Sequence, residues 1–143
     1  MSKVDDVAAA ILNRTGRVDT WKFQKLVYYS QAWHLVWESE PLFPDRIEAW
    51  ANGPVVPALY RHHRGSFRVA TWPRGDEQSL NQDEIESIEA VLSFYGAKPG
   101  SWLSELTHRE RPWLEARRGL SAGERGDREI TKAAMAEYYG SLL

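Results

Sequence analysis

Four histidines, several close carboxylate pairs and a run of arginines among aromatics are the residues of this chain best suited to chemistry. His62 and His63 are adjacent, so on a helix they point about 100° apart and do not readily share one metal ion. There is no HExxH frame to build a metal site on. Ser30 and His34 stand one helical turn apart and could touch, but such a pair is more often a polar notch than a nucleophile with its base. "RGSFR" lacks the GxSxG frame of a nucleophile elbow, and no glycine-rich phosphate loop occurs. The carboxylates of "DEIESIE" fall on a solvent-facing stripe. A hydrolase would need Ser30, His34 or His108 gathered in one pocket. On the residues alone an enzyme stands well below the alternatives, and no metal or cofactor site is expected.

Its charge is segregated. From Arg61 to Arg74 there are four arginines (Arg61, Arg64, Arg68, Arg74), two histidines and no acid. From Asp76 to Glu89 there are six acids (Asp76, Glu77, Asp83, Glu84, Glu86, Glu89) and no Lys or Arg. Blocks of opposite sign can steer a charged partner, although a solvated face is the commoner use. The basic block also holds Phe67 and Trp72, a mixture able to hold phosphates and stack bases. A net charge of -2 and the lack of a known DNA-binding motif weigh against nucleic acid as the main partner.

The elements that must position these residues are mainly helical. At 143 residues the length suits one domain, residues 1–143. There is no cysteine, and no apolar run approaches the roughly 20 residues of a membrane helix. A soluble, cytoplasmic protein is expected. Apolar spacing predicts a helix over Lys3 to Asn13 with Ser2 as cap, and a second from Asp19 to Glu38 with a stripe through Phe23, Leu26, Val27, Ser30, Trp33 and Trp37. The four prolines between Pro41 and Pro57 exclude a continuing helix. Arg46 to Ala51 suits a short strand, Asn52-Gly53 a turn and Pro57 a helix start. "SFRVATW" suits a second short strand. A capping box of Asn81 and Glu84 opens another helix. Ser101, Pro112 and Thr131 begin three more, and Leu120 to Arg128 reads as a mobile loop. The expected fold is a compact bundle of about six or seven short-to-medium helices with a small two-stranded β element.

The sharpest local feature is "EAWANGPVVPALYRHH". Gly53 tolerates a positive φ, Pro54 holds Gly53 out of the α region, and Pro57 presets the next helix. That punctuation specifies a rigid corner, with Trp50, Val55 and Val56 buried behind it.

Three segments in this order, "FQKLVYYSQAWHL", "PLFPDRIEAWANGPVVPALYRHH" and "LTHRERPWLEAR", resemble the Panacea domain of SocA-like antitoxins, also described as GepA-like phage-associated proteins. The most specific block is Glu48, Ala49, Trp50, Gly53, Pro54, Val55 and Pro57, supported downstream by His108, Pro112 and Trp113. Asn52 stands where the family often has an aromatic or another polar residue. The resemblance implies an antitoxin that neutralises a cognate toxin, encoded by a neighbouring gene, through direct protein contact. It implies that the motif shapes the scaffold while other surfaces choose the toxin. Candidate toxin contacts are Arg61, Arg64, Arg68, an exposed Trp72, Asp76, Glu77, Asp83, Glu84 and Glu86. The alternative is a nucleic-acid-binding regulator that represses its own operon. Oligomeric state is not legible in the sequence.

Overall fold

The computed structural model describes residues 2–143. Its centre is α2 (Thr20–Glu38), which packs against α1 (Lys3–Thr15), α4 (Gln82–Tyr95), α5 (Gly100–Arg109), α7 (Lys132–Gly140) and the short strand β3 (Gly53–Val55). Asp19 caps α2 by accepting the Lys22 backbone N–H at 2.8 Å, and Ser39 closes it in the left-handed region at φ 59°. Helix α3 (Pro57–His63) and α6 (Arg111–Ala116) each carry a proline in the first turn. The capping box of Asn81 and Glu84 is formed in full at the head of α4. Thr131 caps α7 through the Ala134 N–H.

Two helix starts differ from expectation. The Ser2 hydroxyl donates to the Asp5 carboxylate at 2.8 Å and not to a backbone group. Helix α5 begins at Gly100 behind Pro99, one residue before the expected Ser101 cap. The β structure is also richer than expected. Strand β2 (Ile47–Trp50) pairs antiparallel with β3 on one side and β5 (Glu129–Ile130) on the other. The strand expected in "SFRVATW" is β4 (Arg68–Val69), and it pairs separately with β1 (Val18–Asp19). Two-residue strands are too short for an alternating pattern to reveal them. No helix among the described residues is long and apolar enough to cross a membrane.

A polar network ties α7 and the junction of α5 and α6 to α2. The phenols of Tyr29 and Tyr139 both donate to Glu110 Oε1 at 2.7 Å, and the Tyr28 and Tyr139 hydroxyls pair at 3.0 Å. Tyr29 also stacks on Tyr95 with ring centroids 4.1 Å apart. Burial pushes the Glu110 carboxyl above its ordinary value of 4.5, while the two tyrosine bonds pull it back in part.

The folded protein thus binds the Glu110 proton more tightly than the unfolded chain does. Stability falls as pH rises from 4.5 through the raised value. Glu110→Gln keeps an oxygen for both phenols and removes the buried charge. The variant is expected to lose that fall and to be more stable than the wild type at neutral pH. Melting curves from acidic to neutral pH check this, and parallel wild-type and variant profiles would contradict it.

Candidate functional site

The corner expected around Gly53 is assembled from both motif segments. The strands of the β2–β3 hairpin pair Trp50 with Gly53 across an Ala51-Asn52 turn, and Gly53 sits at φ 130°. Gln24 on α2 accepts the Val56 N–H at 2.8 Å, docking the corner on the central helix. The Trp113 indole donates to the Trp50 carbonyl at 2.9 Å. Buried Arg117 donates to the Ala49 carbonyl at 3.0 Å. His108 lies over Trp113 with ring centroids 4.2 Å apart. The Trp50 indole donates to Glu48 at 2.8 Å, and Glu48 also meets Arg46 at 3.1 Å. Pro54, Val55 and Pro112 are buried, and Pro57 opens α3. The motif residues therefore hold one another and leave few of their polar groups facing outward.

Leu120 to Arg128, expected as a loop, wraps the same arginine. Arg117 donates to the Ser121 and Glu124 carbonyls at 3.1 and 2.5 Å. An arginine fork satisfying several carbonyls organises a segment that has little apolar content of its own.

Behind the corner lies a pocket of about 450 Å³ that sequence reasoning missed. Its walls include Trp21, Asn52, Ser101, Ser104 and His108, and Lys25 of α2 reaches it from below. Lys25 is 1% exposed, and burial lowers its pKa to about 8, against the pull of Asp19. The available signal was a lysine inside the otherwise core-forming run "FQKLV".

The charged candidates divide sharply. Arg61, Arg64 and Arg68 are exposed and form no ion pair among the described residues, and Phe67 beside them is 89% exposed. Trp72, expected as an exposed anchor, is buried. It packs on Phe23 with centroids 5.3 Å apart, and its indole donates to Asp5 at 2.9 Å. The Asp5 carboxylate offers the polar partner that a buried tryptophan requires. Glu84 is likewise buried, engaged by its capping box and by Lys3. Arg14 holds Glu77 at 3.1 Å and Glu89 at 3.1 Å, keeping the Glu77 carboxyl below the usual range. Asp76 caps the short turn at Gln78, and Asp83 and Glu86 stay exposed. The acidic block is thus partly neutralised by α1.

Ser30 and His34 do not meet as a pair. Ser30 donates to the Leu26 carbonyl, and His34 pairs with Ser87 at 2.8 Å. Buried His63 pairs with Gln24 at 2.9 Å, while His62 is exposed. Burial lowers the pKa of both His34 and His63. Among the described residues no group of three or more His, Asp or Glu could hold a metal ion.

An apolar groove of about 530 Å³ runs between α2, α4 and α5. Trp33, Trp102 and Leu106 form its floor, with Trp37 at 42% and Phe94 at 61% exposure beside it. Trp37 belongs to the stripe expected to be core, and nothing in its spacing distinguished it from its buried neighbours.

The chain is a mainly helical scaffold with a self-braced corner and a separate exposed aromatic face. Residues 23–114 match the family described as "Antitoxin SocA-like, Panacea domain", and the chain belongs to that family. It is also 28% identical over 124 residues to "Antitoxin SocA" of Caulobacter vibrioides, an alignment covering 75% of this chain and 66% of that protein. No solved structure matches.

The corner itself makes a stability prediction. A Cβ at position 53 would lie 3.1 Å from Lys25 Cε and would be strained at φ 130°. Gly53→Ala is expected to cost about 1–3 kcal/mol in denaturant unfolding. An unchanged midpoint would show that the corner does not depend on glycine.

Proposed function

We propose that this protein is an antitoxin that acts in the cytoplasm and neutralises a cognate protein toxin by direct contact. Membership of the antitoxin family supports the role. The observation that carries the contact mode is the exposed aromatic groove: Trp37 and Phe94 face solvent beside a floor of Trp33 and Trp102. Clustered exposed aromatics are unusual on a soluble surface unless something docks there, and tryptophan is enriched at interface anchors. Arg61, Arg64 and Arg68 and, more weakly, Asp76, Asp83 and Glu86 then serve to guide encounter, where charge acts on association rate more than on final affinity.

A second reading rests on Phe67. Exposed at 89% among free arginines, it suits base stacking beside phosphate contacts, as an operon autorepressor would need. Salt-dependent retardation of its own promoter DNA, lost in Phe67→Ala, is the result expected of that reading.

The test of the antitoxin reading is co-expression with the product of the neighbouring gene. Growth arrest by the neighbour alone, relieved together with co-purification, is the expected result. Trp37→Asp with Phe94→Asp should leave the protein folded, with a modest fall in melting temperature for the lost contacts to Trp33 and Tyr95, and weaken the complex at least about tenfold. A complex formed equally well by the double variant would remove the groove as its contact surface. A harmless neighbour that does not co-purify would overturn the reading itself.

A further inference from the structure

Helix α2 is buried on nearly every side, and its buried polar side chains are hydrogen-bonded with one exception. Thr20, Gln24, Tyr28, Tyr29, Ser30, Gln31 and His34 each have a partner. Lys25 is 1% exposed, yet among the described residues its ammonium makes no hydrogen bond or ion pair. Its contacts are the Trp21 ring at 5.9 Å and the space left open by Gly53. A second polar atom is orphaned in the same place: His108 Nε2 is buried and unpartnered. Both side chains border the pocket of about 450 Å³ behind the corner. An isolated buried ammonium is costly to keep, and replacing it by an apolar residue of equal size is normally tolerated or stabilising. The arrangement makes physical sense once an anion completes it.

We propose that this pocket is a carboxylate-binding site, in which the Lys25 ammonium holds the anion at the N-terminal turn of α5. The other donors converge from that turn, where Gly100, Ser101 and Ser104 line the pocket and the ten-residue helix presents its positive end. Asn52 closes the opposite wall, and Trp21 offers an apolar face to whatever carries the carboxylate. Asp19 is also in the wall, with Oδ2 3.1 Å from where a Cβ on Gly100 would lie. Lys25 supplies a single positive charge and the Asp19 carboxylate in the wall repels further negative charge, so the site suits a singly charged group over a phosphate dianion. The carboxylate can come from a free small acid or from an acidic side chain of a bound protein; the site's chemistry is the same. The proposal does not depend on the antitoxin reading, because the orphaned groups belong to the pocket and not to the exposed groove.

The test is an NMR titration of the whole protein with sodium acetate at constant ionic strength, using sodium chloride as balance and sodium phosphate for comparison. Saturable shifts of the Lys25 Cε signal and of the Asn52 and Ser101 amides are expected, with the Lys25 pKa rising from about 8 as acetate binds. Lys25→Met should fold at least as stably and lose acetate binding about tenfold or more. Shifts that stay linear in acetate, or that persist unchanged in Lys25→Met, would overturn the proposal, as would phosphate binding more tightly than acetate. The wild-type titration decides the matter alone should the variant fail to fold. Once acetate binding is established, the source follows from a protein complex obtained by co-expression. Weakening by Lys25→Met together with competition by acetate points to a partner's acidic side chain. A complex indifferent to both points to a free acid.

Discussion

Everything in this fold answers to one constraint: a nineteen-residue helix, α2, is buried on nearly all sides while carrying many polar side chains. Such groups are stable inside a protein only when each finds a partner. Gln31 binds both the Leu42 N–H and the Phe43 carbonyl at 2.7 Å, fixing the chain that leaves α2. Gln24 fixes the corner, Tyr29 reaches Glu110 between α5 and α6, and Tyr28 reaches α7. Each pairing specifies where a distant segment must lie. Apolar packing alone would leave several of these placements interchangeable.

The proline-rich corner is the most conspicuous consequence. Its backbone carbonyls at Ala49 and Trp50 are taken by Arg117 and Trp113, which come from the segment after α5. The two halves of the motif thus satisfy each other across more than sixty residues of chain. A self-satisfied corner has little left to offer a partner directly. What it does create is the open pocket behind Gly53, where the demand for satisfied groups is broken at Lys25.

Unmatched surface lies where the constraint is relaxed. Trp37 and Phe94 stand in the last turns of α2 and α4, each touching one aromatic neighbour and leaving much of its remaining apolar surface in water. The basic segment around Phe67 follows a short helix and forms no ion pair among the described residues. The acidic segment meets Lys3 and Arg14 of α1, and the resulting pairs leave it less field to project. A largely exposed pair such as Arg14 with Glu89 adds little stability, but these pairs do decide which charges remain free.

The amino-acid sequence by itself determined the helices and their punctuation. The Asp19, Asn81 and Thr131 caps and the proline starts of α3 and α6 are local devices, satisfied within a few residues, whereas the turn expected at Asn52-Gly53 forms one residue earlier, at Ala51-Asn52. The corner motif was legible for the same reason, as glycine and proline restrict the backbone wherever they stand. Only the tertiary structure decided which side chains are free. Trp72 and Trp37 look alike in sequence, yet one finds Asp5 and the core while the other finds solvent. Strands β1, β4 and β5 exist because distant backbones meet, and two residues carry no periodicity to announce it. Lys25 reads as an ordinary helical lysine until α5 and the corner close over it. Burial and pairing are properties of segments brought together from far along the chain, and no local pattern encodes them.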